Sequence, residues 1–158
     1  MQSLALAAVL AAATSSLPAW HPAPTPPFDQ PAGVTCAFAI HGDPIDDQVQ
    51  ELDLATYPDG SPKRAVFAGR LIIRVTNKDN GKTYDADASG TAIVGFGADG
   101  SQHWDWTGPV MVGFRAANSN HAQGLYILDG VYDLKISADH QLTLEGTGHE
   151  TNVCAQIA

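Results

Sequence analysis

The sequence predicts an all-β fold, an up-and-down antiparallel β-barrel of about eight strands, with a two-sheet β-sandwich as the alternative. Apolar residues recur at every second position through most of the chain, the pattern of strands with one buried face. Short runs of Gly, Pro, Asn, Asp and Ser separate these stretches, and no helical periodicity occurs after residue 20. Composition agrees: 158 residues suit one domain, and the 15 Gly and 10 Pro suit many turns.

At the N-terminus, Leu4, Leu6, Val9 and Leu10 among alanines form an apolar run of signal-peptide length, too short to span a bilayer. Small residues allow cleavage before Thr14 or after Ala19, although no Lys or Arg precedes Lys63 to supply the usual positive start. Residues 20–33 carry Pro22, Pro24, Pro26, Pro27 and Pro31 and read as an extended tether outside the core. The expected organisation is a signal peptide over residues 1–19, a Pro-rich linker over 20–33 and a β-barrel domain over 34–158.

The first strand is expected over residues 34–40, with Cys36, Phe38 and Ile40 on one face, broken by Gly42, Asp43 and Pro44. Residues 48–56 alternate again. Residues 57–62 form a turn, because Pro58 presets φ and Gly60 takes an unusual one. Residues 64–77 then read as one long strand, with Ala65, Phe67, Gly69, Leu71, Ile73 and Val75 in phase. It ends at Asn80 and Gly81, a strong hairpin signal since both residues tolerate positive φ.

Residues 82–97 form one bent strand or two short ones, with bends at Gly90, Gly95 and Gly97. A second hairpin at Asp99 and Gly100 leads into strands over 101–107 and 110–116. Residues 124–137 form another long strand, with Tyr126, Leu128, Tyr132, Leu134 and Ile136 in phase. The last strand is expected over residues 152–157, carrying Cys154.

Cys36 and Cys154 thus lie in the first and last strands, which become neighbours only if the sheet closes. A disulfide there would lock the seam, and two free buried thiols are the other state; export favours the disulfide. The net charge of −9, from 17 acidic and 8 basic residues, argues against nucleic-acid partners and stable association with anionic membranes.

The stretches Cys36-Ala37-Phe38, Tyr57-Pro58-Asp59-Gly60, Val75-Thr76-Asn77 with Gly81-Lys82, Ser89-Gly90 and Val153-Cys154-Ala155 together resemble small secreted actinobacterial β-barrel proteins of uncharacterised function. The resemblance covers about residues 34–157. The topology is similar to allene-oxide-cyclase-like and lipocalin-like barrels, without the Gly-x-Trp of lipocalins or a cyclase's catalytic pattern. It implies a secreted barrel and transfers no functional residue.

Residues 85–90 open like a calcium loop, yet the twelfth position is Phe96 rather than a carboxylate, and no metal is expected. The six histidines lack zinc-site spacing, and no nucleophile elbow, phosphate loop or redox cysteine pair is present. No cofactor is expected. The candidate ligand-binding set is Phe67, His103, Trp104, Asp105, Trp106, Phe114, Tyr126 and Tyr132, aromatic residues of a barrel interior with a polar pair at its mouth. His103 beside Asp105 could also act as an acid–base couple. Arg70, Arg74 and Arg115 discriminate: pointing inward they would meet an anionic ligand group, outward they only solubilise. The aromatic rings either fill the barrel interior or line a pocket in it, and for a pocket the expected function of the secreted barrel is binding a small apolar molecule. A cyclase- or isomerase-type enzyme using the same interior and an extracellular module without a pocket are the alternatives.

Overall fold

The computed structural model describes residues 17–158, so the apolar leader run lies outside the described residues. The strands are β1 (His21–Pro22), β2 (Phe28–Gln30), β3 (Ile40–Asp47), β4 (Gln50–Thr56), β5 (Pro62–Ala68) and β6 (Leu71–Asn77). They continue with β7 (Thr83–Asp87), β8 (Thr91–Phe96), β9 (Gln102–Phe114), β10 (Gly124–Ile136) and β11 (Leu142–Asn152), and α1 (Val153–Gln156) follows. A seven-stranded sheet has the order β1-β4-β5-β8-β9-β10-β11 and a four-stranded sheet the order β2-β3-β6-β7. The ladders within both sheets are antiparallel.

The all-β class and the up-and-down antiparallel order hold, but the hydrogen-bonded ladders do not close into a barrel. Besides β1 to β2, three chain segments pass from one sheet to the other, and the two sheets stay separate. β3 leads into β4, β5 into β6 and β7 into β8, each pair having one member in each sheet. The expected single strand over residues 64–77 is therefore two strands, divided at Gly69. This glycine has φ +141°, and a Cβ there would sit 2.2 Å from the Gln48 carbonyl oxygen. Its neighbour's carbonyl, on Arg70, accepts from Gln48 N–H at 2.8 Å. Gly90 divides β7 from β8 in the same way, donating its N–H to the Pro109 carbonyl at 2.7 Å. Strands that switch sheets at such bends make the corners of orthogonally packed sheets.

Other boundaries move for identifiable reasons. Gly42, Asp43 and Pro44 do not break β3; the strand passes through them with a register shift between Pro44 and Asp46. β2 pairs only with Ile40 to Gly42, so Pro44 lies beyond that partner, where a missing donor is tolerated. The strands expected over 101–107 and 110–116 are one, β9, which continues through Gly108 at φ +82°. The hairpin after β6 forms as expected, yet only Gly81 takes positive φ, at +75°. Asp59 and Asp99 each accept the N–H of a serine two residues on, at 3.0 Å, an Asx turn repeated at both Asp-Gly-Ser turns.

The proline-rich segment is paired rather than loose. β1 extends the large sheet alongside β4, and β2 extends the small sheet alongside β3, so residues 21–30 form a strap from one sheet to the other. Short ladders at sheet edges are where prolines fit, since an edge strand needs only half of its donors.

Two apolar cores result. One lies between the small sheet and β10, with Ile40, Ile73, Val75, Leu125, Ile127, Val153 and Ile157. The other covers the opposite face of the large sheet, with Val94, Trp106, Phe114, Leu128, Tyr132 and Leu134. β10 feeds both, its residues alternating between the two faces.

The Cys36–Cys154 disulfide is formed, with Cα atoms 5.4 Å apart and a sequence separation of 118. It does not join two strands, because Cys36 sits in the bends before β3 and Cys154 in α1, where a last strand was expected. Asn152 caps that helix by accepting from Ala155 N–H at 3.2 Å. Beneath it, buried Asn77 donates to the Ile157 carbonyl at 2.9 Å. For a loop this long, chain-entropy reasoning gives the cross-link about 4–5 kcal/mol.

Replacing Gly69 by Ala combines a strained φ with a backbone clash and is expected to cost about 3–4 kcal/mol. Gly81→Ala, which meets open space, should cost only about 1–2 kcal/mol. Urea unfolding of both variants checks this; equal losses would contradict a tight corner at Gly69.

Candidate functional site

The eight candidate residues fall on two faces of the large sheet. On the inner face, Trp106 stacks on Tyr132 with ring centroids 5.4 Å apart and donates its indole N–H to the Leu128 carbonyl at 3.3 Å. Trp106, Tyr132 and Phe114 are 3 %, 5 % and 0 % exposed, so these rings fill the core. Burial, then the nearby charges of Glu150 and Asp129, pushes the Tyr132 phenol above its ordinary range. Phe114 and Tyr126 enclose His121, whose ring stacks on Phe114 at 4.4 Å and meets Tyr126 edge-on at 4.6 Å. Its Nε2 lies 3.0 Å from Glu150 Oε2. His121 follows the polar residues Asn118, Ser119 and Asn120, and its packing between aromatics has no local signal in the sequence.

Phe67 and Trp104 behave differently. Their rings lie nearly parallel, 6.3 Å apart and 14° from coplanar, and both residues are only partly buried. The Trp104 indole N–H is already taken by Gln102 Oε1 at 2.8 Å. Both line a cleft of about 400 Å³ at the sheet corner, with Val49 from the β3–β4 connection, Ala92, Val110 and Met111 from the large sheet and Leu71 and Ile73 from the small one. Gly69 and Gly90, where the strands part, are in its wall, and the strap residues Ala23, Pro24, Thr25 and Pro26 close one side. Every side chain lining it is uncharged. Ala23 N–H donates to the Val49 carbonyl at 3.0 Å. Asp47 holds the strap more firmly, accepting from Thr25 N–H at 2.6 Å through one oxygen and from Val49 N–H at 3.0 Å through the other. Two larger depressions, of about 620 and 640 Å³, lie around Tyr57, Phe96 and Gly97, and hairpin-turn residues form much of their walls.

Beside the cleft stands a polar group that the sequence did not reveal. Glu51 is directly opposite Phe67 and Asp53 opposite Ala65, which places both carboxylates on the aromatic face. His21, across from Glu51 on β1, brings Nε2 to 3.5 Å from Asp53 Oδ2. The ligating atoms of the three residues lie within 4.8 Å of one another. Asp53 Oδ1 is buried without a hydrogen-bond partner. The signal was divided between a tether histidine and an alternating strand, and only the β1–β4 pairing joins them.

The expected polar mouth is on the opposite face. His103 and Asp105 are exposed and point away from the two tryptophans, as alternation on β9 requires. His103 Nε2 pairs with Asp133 across the β9–β10 ladder and lies 3.9 Å from Asp105, while Lys135 Nζ approaches Asp133 Oδ1 at 3.8 Å. Burial raises the Asp133 carboxyl, but the His103 hydrogen bond and charge, with Lys135, outweigh it and hold the group below its ordinary value. Arg74 reaches Asp85 with two hydrogen bonds, at 2.7 and 2.8 Å, and Arg70 pairs with Asp46. Both arginines and Arg115 are exposed, so none offers an inward anion site. In the calcium-like stretch, Asp85 is engaged by Arg74 and Asp87 accepts from Ser89 N–H at 2.9 Å.

No protein-family model, no curated protein and no solved structure matches the chain, so the reading of this site rests on its own geometry.

A depressed carboxyl contributes stability that is present above its unfolded value of about 3.9 and is lost as pH falls through the lower folded value. Removing the partner in His103→Ala leaves burial to act on Asp133, and its pKa is expected to rise. Carbon-13 carboxyl titration by NMR measures it directly; an unchanged Asp133 midpoint would show that His103 does not hold it.

Proposed function

We propose that this chain is an exported β-sheet domain that binds a small apolar ligand in the corner cleft, between the Phe67–Trp104 pair and the proline strap. The observation carrying the reading is a cleft with wholly uncharged walls and two stacked, partly exposed aromatic rings. Its volume of about 400 Å³ falls within the roughly 300–1,000 Å³ of small-molecule sites. Pro24 and Pro26 add pre-set backbone to one wall, so little conformational freedom is lost there when a ligand enters.

Export is supported by the intramolecular disulfide, a bond that persists in oxidising compartments, and by the apolar leader run. Among the described residues no helix is long and apolar enough to cross a membrane. The acidic balance makes nucleic acid and anionic membrane surfaces poor partners. A cyclase-type reading gains little, because the His103–Asp133 couple lies on the face away from the cleft. The resemblance to small secreted barrel proteins is compatible with the fold class and adds no residue to the site.

The neutral dye N-phenyl-1-naphthylamine is expected to bind wild-type protein with increased fluorescence and to alter Trp104 emission. Phe67→Ala and Trp104→Ala each remove a stacking surface worth about 0.5–1.5 kcal/mol and should weaken the dye up to about tenfold. Fluorescence titration decides it: no dye uptake by wild type, or uptake by both variants as tight as by wild type, would overturn the cleft as a binding site.

A further inference from the structure

We propose that the ligand of this cleft is an apolar molecule with a cationic head, an amine or quaternary ammonium, seated against Glu51 and Asp53. The inference rests on the cleft being a binding site and adds the chemical class of its occupant.

The two carboxylates belong to the aromatic face by register. Val49, Glu51 and Asp53 alternate along one side of the chain, and Val49 lines the cleft. Glu51 faces Phe67 directly across the β4–β5 ladder, and Phe67 stacks on Trp104. The acidic pair therefore adjoins the ring surfaces that an apolar body would cover, and those rings attract cations through their faces.

Neither carboxylate is neutralised by a fixed charge. Among the described residues, the lysines and arginines that form ion pairs do so with Asp29, Asp46, Asp85 and Asp133, and none with Glu51 or Asp53. His21 Nε2 lies 3.5 Å from Asp53 Oδ2, and Asp53 Oδ1 is buried without a hydrogen-bond partner. An unmade hydrogen bond at a buried acceptor is costly, and a ligand N–H, or the charge of an ammonium, would offset that cost. An anionic head would face two carboxylates, and a neutral head would leave both uncompensated. The overall charge of −9 further favours the approach of cations.

Three ligands sharing one decyl chain test this: decyltrimethylammonium, decanol and decanoate, each displacing N-phenyl-1-naphthylamine with EDTA present throughout. The cation is expected to displace the dye at about one-tenth of the alcohol's concentration, with decanoate weakest. That advantage should shrink severalfold in high salt, and it should disappear in the Glu51→Gln, Asp53→Asn double variant. The salt series on wild-type protein carries the test even if the double variant fails to fold. Equal displacement by all three heads, or the best displacement by decanoate, overturns the inference while leaving the cleft intact. A decanoate advantage seen in parallel titrations without EDTA, and lost with it, would assign the rim to a bound metal and also overturn the inference. A dye that never binds overturns the cleft, and this inference with it.

Discussion

The structure depends on the close backbone approach at the sheet corner. Gln48 N–H to the Arg70 carbonyl and Gly90 N–H to the Pro109 carbonyl keep the ladders bonded while the strands change sheets. At Gly69 there is no room for a side chain, and its φ belongs to a region that L residues avoid. Without this corner the chain would be one continuous meander with a single face to bury. With it, the small sheet folds over the first half of β10, and Leu125 and Ile127 are buried on one side while Tyr126 and Leu128 are buried on the other. The cleft is the space left where the two sheets part at Gly69 and Gly90.

The strap completes that space. A proline-rich segment has few donors to give, so it cannot sit inside a sheet, but it can run along edges and cross a gap. Here Asp47 supplies two acceptors at the crossing, and His21 and Asp29 tie down the ends through Asp53 and through Lys78 and His41. Most of these contacts are exposed ion pairs, each worth little alone. The strap's placement thus depends on backbone hydrogen bonds to Val49 and Asp47 and on the packing of Phe28 against the first core.

Much of the fold was legible because alternation is a direct consequence of strand geometry. Residues 124–137 and the turns at Gly60, Gly81 and Gly100 sit where the pattern put them, and the cysteine pairing followed from two thiols in a chain whose sequence reads as exported. The corner was not legible. Ala65 and Phe67 face the second core and Ile73 and Val75 the first, yet all share one phase through Gly69. Periodicity reports which residues are buried and not against which layer, so two strands read as one. The site was half legible for a related reason. Trp104 and Trp106 are two residues apart on one face, but Tyr132 covers one and the diverging sheets leave the other open. Composition made residues 20–33 look like a tether, which hid His21 and the strap; only pairing with β4 and β3 gives them a place.

The central proposal is that the corner cleft is an occupied site rather than a packing defect. Native mass spectrometry of the protein taken from its own culture medium, set against the mass of the denatured chain, tests it most directly. A small molecule with an apolar body and a basic nitrogen, present in the folded species and lost on denaturation, is the predicted result. Identical masses in the two states, from protein that had never been exposed to denaturant or detergent, would contradict it.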